Sequence, residues 1–191
     1  AVMLAGLLNL GRSETAGGRV ETWIDLWTKP QTEKPIDQLT DTERSMIAIH
    51  NGGILGEGAG QSAMRVEMIH PESDYAYAFF VEEYGIVLAL ALLMLYLWIF
   101  FRGIEIFRRC GTAFPGLLVL GLALLITCQA LLHIMVTVNL IPETGQTLPL
   151  ISRGGSSTIF TTIALGMILS VSRQNDEQSH DTPRSESIYE K

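Results

Sequence analysis

Three long apolar runs decide what kind of molecule this chain can be. They lie at Tyr84–Phe101, Pro115–Ile141 and Ser156–Val171, and the first reads GIVLALALLMLYLWIFF in its body. A bilayer's hydrocarbon core takes about 20 apolar residues in a helix, with a tolerated range of roughly 17–25. One such run would also suit a buried helix of a soluble protein. Three of them, with Trp and Tyr near the ends of the first, predict an all-α integral membrane protein: a polytopic helical bundle with three complete transmembrane helices.

Composition agrees. Hydrophobic residues make up 48% of the 191 and charged residues 17%, below the roughly 25% charge of ordinary soluble domains. The net charge of -7, without a Lys/Arg stripe, argues against a nucleic-acid partner. Cys110 and Cys128, in a basic loop and an apolar run, form neither a disulfide framework nor a metal knuckle. No signal peptide is visible, and residues 1–10 resemble the cut end of a spanning helix. The sequence is therefore expected to be a fragment of a larger membrane protein.

Charge in the connectors sets the expected orientation. Residues 102–114 carry Arg102, Arg108 and Arg109 against Glu105, which marks a cytoplasmic loop. Residues 11–83 and 142–155 then form extracytoplasmic loops, with membrane helices at 84–101, 115–141 and 156–171. Residues 172–191, polar and rich in Ser, Asp and Glu, are expected to be a disordered cytoplasmic tail. The 11–83 loop is too long for a passive connector. It retains WIDLW, MIAI and AYAFF, and a short amphipathic helix is expected over Asp41–His50, stopped by Gly52-Gly53.

Four groups of residues could carry chemistry. NGGILGEGAGQS (Asn51–Ser62) has the glycine density of a tight reversal, and it lacks the Gly-Lys-Ser/Thr of a phosphate-binding loop. Asp74 lies eight residues before Glu82-Glu83. On a helix that is about 12 Å, too far to share a proton, and an Asp ahead of a helix is most often a cap. LIPETGQTLPLISRGGSS (Leu140–Ser157) brings Arg153 to the start of the last span, where helix N–H groups can hold a phosphate or simply be capped. Gln129 and His133 share a helix face at bilayer depth, as a pathway or an interhelical hydrogen bond would require.

In order, these motifs resemble the SEDS family of bacterial envelope growth: FtsW, RodA and SpoVE. The family pattern S-x-x-A-I-x-x-G-G-x-x-G-x-G-x-G-x-S is met by Ser45, Ala48, Ile49, Gly52, Gly53, Gly56, Gly58, Gly60 and Ser62. Pro71, Glu72 and Asp74 precede the E-E-x-G of Glu82, Glu83 and Gly85. Gln129, Ile134 and a P-x-T-G-x-x-L-P-x-I-S-x-G-G-S-S run from Pro142 to Ser157 complete the series, and Arg19-Val20 matches the pair before the outer loop. The chain departs in having Arg153 where the family commonly has Tyr, His133 where it has Asn, and a shorter Pro-Glu to Asp spacing. The uninterrupted G-x-G-x-G-x-S leans towards the FtsW division branch.

The resemblance implies a peptidoglycan polymerase: an inverting glycosyltransferase extending glycan strands from lipid II. It places the catalytic carboxylate at Asp74. It implies substrate contacts at Arg19, Arg153, Ser152, Gly154, Gly155 and Gln129, with Glu82, Glu83 and Ser62 in support. A divalent cation, Mg or Mn, is expected with ligands unassigned. Expected partners are lipid II, a class B penicillin-binding transpeptidase, other division or elongation proteins and the lipids of a bacterial cytoplasmic membrane, crossed several times with the C-terminus inside. The rival readings are a lipid II flippase and a non-catalytic scaffold for the transpeptidase. These 191 residues alone are expected to be inactive.

Overall fold

The computed structural model describes residues 17–21, 23–24, 27–28, 39–62, 75–152 and 154–181. Residues 17–21, 23–24 and 27–28 are helical, and four further helices follow: α1 (Asp41–Gly52), α2 (Ala76–Arg109), α3 (Ala113–Thr137) and α4 (Gly155–Asp181), with no strand among the described residues. The last three are long and apolar enough to cross a membrane. The chain is a helical integral membrane protein.

Local chemistry explains each boundary. Thr40 and Glu43 form a reciprocal capping box at the start of α1: the Thr40 side chain accepts from the Glu43 amide, and the Glu43 carboxylate accepts from the Thr40 amide at 2.8 Å. Gly53 closes α1 with a positive φ of 51°. At the far end of α3, the Leu140 amide reaches the Met135 carbonyl and the Asn139 amide reaches Val136, both at 2.9 Å. This is a Schellman closure with Asn139, at φ 58°, in the left-handed position that Asn tolerates.

The third span contains many threonines, and the helix absorbs them. Thr158, Thr161 and Thr162 donate to the carbonyls four residues earlier, Gly154, Ser157 and Thr158, at 3.2, 2.8 and 2.7 Å. Their hydroxyls therefore need no outside partner.

Two helices run beyond the apolar blocks. Helix α2 starts at Ala76, ahead of the Tyr84 limit set by hydropathy, because hydropathy counts only the stretch apolar enough for lipid. Helix α4 continues through Ser172–Asp181, residues whose polar composition points to a disordered tail. An Arg173–Glu177 pair at 2.8 Å, one turn apart, supports that extension.

Tertiary contacts divide the chain into two units, one of residues 1–89 with 132–146 and one of residues 90–131 with 147–191. In the first, Ala48 of α1 packs with Tyr75, Ala78 and Phe79, flanked by Ile47 and Ile49. In the second, Tyr96, Val119, Ala123, Ile126 and Ala130 are buried. There the Tyr96 hydroxyl donates to the Pro149 carbonyl at 2.6 Å.

Candidate functional site

The glycine loop and the E-E-x-G motif form one hydrogen-bonded body in the first unit. Helix α2 is two helices joined at Gly85, whose φ of 80° and ψ of 170° are not helical. Such a break strands carbonyls before it and amides after it, and each unsatisfied backbone group costs several kcal/mol where water is excluded. The loop supplies the partners. The amides of Glu57 and Gly58 donate to the carbonyls of Glu82 and Glu83 at 2.9 and 3.1 Å, and the Ile86 amide donates to the Gly53 carbonyl at 3.1 Å. A tight reversal against a membrane helix, the plainer reading of these glycines, is what the chain builds.

Ser62, the last residue of the glycine motif, donates its hydroxyl to Glu82 Oε2. Glu82 is fully buried, and its Oε1 has no hydrogen-bond partner among the described residues. Glu83 is half-buried and enters the body through its backbone carbonyl.

A second cluster stands at the start of α2. The Tyr75 hydroxyl donates to Glu143 Oε1. Thr42 donates to the same oxygen at 2.7 Å and lies 3.2 Å from the Tyr75 hydroxyl. Burial first, and the Glu143 hydrogen bond second, push the Tyr75 phenol well above its ordinary range. Beside the cluster, the Trp23 indole donates to the Asn139 carbonyl at 2.9 Å. The Arg19 guanidinium reaches the Glu143 carbonyl at 3.5 Å from an exposed position. Arg19, Trp23, Thr42, Asn139 and Glu143 line a cavity of about 340 Å³. The sequence offers little sign of Tyr75, Thr42 or Glu143, since Glu143 fills the variable position of P-x-T-G. An acidic side chain between prolines and glycines is the single cue.

Ser152, Gly154, Gly155 and Gln129 belong to the second unit. Gln129 Nε2 donates to the Thr147 carbonyl at 3.1 Å. The Leu148 amide donates to Ser152 Oγ at 2.8 Å, and the Ser152 amide returns to the Leu148 carbonyl at 3.1 Å. Gly154 and Gly155 lead into α4, whose first amides carry the partial positive charge of a helix N-terminus. His133, the other polar residue of the α3 face, lies in the first unit with its Nδ1 2.6 Å from the Gln146 carbonyl. Structure thus gathers Ser62, Glu82 and Glu83 around one helix break, holds Arg19 at the cavity, and fixes Gln129 and Ser152 on the connector. Asp74 and Arg153 lie outside the described residues. Among the described residues no three His, Cys, Asp or Glu side chains converge as a metal cage.

Comparison with known proteins places these residues in a family context. Residues 3–177 match the family model FTSW_RODA_SPOVE, described as cell cycle protein. A probable peptidoglycan glycosyltransferase FtsW from Thioalkalivibrio sp. (strain K90mix) is 36% identical over 161 residues, 82% of this chain and 39% of that protein. Stage V sporulation protein E of Bacillus subtilis (strain 168) is 31% identical over 156 residues, 81% of this chain and 41% of that one. The chain thus spans about two fifths of the length of these relatives. A solved chain described under "Structural coordination of polymerization and crosslinking by a peptidoglycan synthase complex" shares the fold. It superposes with a TM-score of 0.58 at 24% identity, covering 90% of this chain and 48% of that chain.

Proposed function

The chain belongs to the FtsW/RodA/SpoVE family of cell cycle proteins, and on that premise we propose that it is part of an inverting peptidoglycan glycosyltransferase that polymerises lipid II. One observation carries the reading. The two motifs that bracket Asp74 in the sequence, G-x-G-x-G-x-S and E-E-x-G, are bonded to each other through Glu57, Gly58 and Ser62. A loop that begins and ends on one rigid body is a suitable mount for a catalytic group.

In this mechanism Asp74 acts as general base outside the membrane. It accepts the proton of the acceptor sugar's 4-hydroxyl as that oxygen bonds to the donor's anomeric carbon. The bond from that carbon to the lipid pyrophosphate breaks, and its electron pair leaves with the phosphate oxygen. An α-linked donor becomes a β-linked chain by one inverting displacement, without a covalent enzyme intermediate, by the logic of inverting glycosidases. Arg153, which precedes α4 in the sequence, is the proposed contact for the departing pyrophosphate. Arg19 is a second candidate, and separate substitutions test the two. A divalent cation, Mg or Mn, with its ligands unassigned, would add stabilisation of the departing pyrophosphate.

A class B penicillin-binding transpeptidase is the proposed partner, and a bacterial cytoplasmic membrane the proposed location, with the glycine loop outside and the C-terminus inside. Cell division is the proposed branch. Because the chain spans 39% of one relative and 41% of another, the 191 residues alone are expected to be inactive.

The test is lipid II polymerisation by the full-length protein, with substrate supplied on the outer face. Asp74→Asn should lower turnover by about 10²–10⁴-fold, the usual worth of a general base. Retained polymerisation would sink the base assignment. Lipid II transport without polymerisation would favour a flippase, and transpeptidase binding by an inert wild type would favour a scaffold. Gln129 and His133, which a transport path would call on, are engaged with connector carbonyls.

A further inference from the structure

The reversal that follows α1 carries two large aliphatic side chains at its tip. Ile54 is 70% exposed and Leu55 84%. One exposed Leu on a protein surface is ordinary. These two are adjacent, bracketed by Gly53 and Gly56 at positive φ, and flanked by exposed polar residues, Asn51 before them and Glu57 after. Backbone contacts fix the level of this tip along α2. The Ile86 amide donates to the Gly53 carbonyl at 3.1 Å, and a side-chain carbon added to Gly85 would lie 2.6 Å from the Leu55 carbonyl carbon. The shoulder of the loop meets α2 earlier, where Glu57 and Gly58 pair with Glu82 and Glu83. From shoulder to tip, the partners on α2 thus step from two acidic residues to the start of the apolar run. Tyr84 stands between them, exposed and in ring contact with Phe80 at a centroid distance of 4.9 Å. An aromatic residue at the end of a span marks the headgroup level.

We infer that Ile54 and Leu55 insert into the interfacial layer of the bilayer beside the entry of α2, making the glycine reversal a lipid anchor. The occupant is lipid because the tip is continuous with a membrane span. Ile86 and Val87, level with the tip and next along α2, are more than half exposed on a helix whose length and composition suit a bilayer. An apolar surface of that kind, rimmed by polar residues, is what a membrane covers. The backbone permits the insertion. An irregular turn is expensive in lipid wherever its amides and carbonyls lose their water partners. Here the Gly56 amide closes on the Gly52 carbonyl at 2.7 Å and the Gly53 carbonyl takes the Ile86 amide, so these groups need no water. The headgroup region still offers hydrogen-bond partners to the rest of the turn, which sets its depth at the boundary of the acyl chains. Asn51 and Glu57 then remain on the aqueous side. Such an anchor holds the whole glycine loop at a fixed height over the membrane. The inference stands apart from the glycosyltransferase reading, since it needs only that α2 spans the membrane.

The experiment measures depth in the full-length protein, reconstituted in nanodiscs of phosphatidylethanolamine and phosphatidylglycerol. With its other cysteines replaced, Cys110 and Cys128 among them, Ile54→Cys, Leu55→Cys, Glu57→Cys and Val87→Cys each receive a nitroxide. Oxygen, which concentrates in lipid, should relax the labels at 54, 55 and 87 several-fold more than a water-soluble nickel chelate does. The label at 57 should show the reverse. Nickel-dominated relaxation at 54 and 55 would place the tip in water and overturn the anchor. Poor access of both reagents there would show a protein cover, from the rest of the polypeptide or a partner chain, and would overturn it equally. A smaller probe guards against a label that disturbs the turn. Leu55→Trp places at the tip a ring that suits the interface. Its emission, taken as the difference from wild type, should be quenched more by lipid brominated near the headgroup end of the acyl chain than by lipid brominated near the chain end. Quenching by neither lipid would overturn the insertion, and stronger quenching by the deep bromine would overturn the interfacial depth.

Discussion

Gly56 and Gly85 meet backbone to backbone at the break in α2. A side-chain carbon added to Gly56 would lie 2.6 Å from the Gly85 nitrogen, and one added to Gly85 would lie 2.7 Å from the Gly56 nitrogen. Both residues also have positive φ, 79° and 80°. Alanine at either position therefore meets two costs, about 1–2 kcal/mol for the left-handed backbone and about 1–3 kcal/mol for overpacking. Gly85→Ala should destabilise the protein by about 3 kcal/mol in denaturant unfolding in detergent. Gly111→Ala is the control, since nothing lies within 4 Å of its added carbon. Equal stability of the two variants would refute this account of the contact. The double variant Gly56→Ala/Gly85→Ala should lose less than the sum of the singles, because both act on one interface.

The break itself shows where sequence reasoning reaches its limit. Hydropathy finds the three spans because lipid imposes a length and a composition on each. Local rules also find α1: Gly52-Gly53 stops it, and the capping box marks its start. Gly85, by contrast, sits at the start of an apolar run, where a single glycine does not by itself announce a break. What breaks the helix is a set of backbone partners from Gly53, Glu57 and Gly58. Tertiary partners of that kind have no local signature. The Tyr75–Glu143 and Thr42–Glu143 bonds span 68 and 101 residues, and no periodicity records such pairs. The motif series makes Asp74 a candidate without geometry, while geometry brings out Glu143 without a motif.

The start of α1 offers a separate test. Thr40 accepts from the Glu43 amide and Glu43 accepts from the Thr40 amide, so Thr40→Ala keeps the second bond and strands the Glu43 amide at the helix end. The expected loss, that of one N-cap acceptor, is about 1 kcal/mol. Amide exchange over residues 41–44 should accelerate by about fivefold while exchange within α3 is unchanged. Thr40→Ser should restore protection, and failure to do so would show that packing rather than the cap holds this end.

Tyr75 predicts a dependence on alkaline pH. Burial, then the hydrogen bond to Glu143, raises its phenol above the ordinary value, which in an unfolded chain is about 10. A phenol with a raised folded pKa contributes stability that is complete below the unfolded pKa and is lost as pH rises above it. Stability should thus be flat in this respect up to about pH 10 and fall beyond it. Tyr75→Phe should show a shallower fall, with a lower starting stability from the missing bond to Glu143. The direct measurement is phenolate absorbance: at pH 11 the folded wild type and Tyr75→Phe should absorb alike, and their difference should emerge only on unfolding. An extra ionised phenol in the folded wild type would contradict the burial argument.

The connector before α4 is held by a reciprocal pair that one substitution can open. Ser152 is 4% exposed, its hydroxyl accepts from the Leu148 amide at 2.8 Å, and its own amide donates to the Leu148 carbonyl at 3.1 Å. Ser152→Ala keeps the second bond and removes the first, leaving the amide of Leu148, itself 1% exposed, without its acceptor. A buried donor left unsatisfied costs about 1–3 kcal/mol, more than the net worth of the bond. Ser152→Thr keeps the hydroxyl but adds a methyl to a packed site, so its loss should be smaller if the bond dominates and larger if packing does. The connector also carries Thr147, whose carbonyl accepts from Gln129. Loosening the 148–152 turn should therefore weaken protection near Gln129 as well. Gln129→Leu combined with Ser152→Ala should then cost less than the two singles added together. Strict additivity would show that the turn and the Gln129 contact are independent, and Ser152 would then act on its own turn alone.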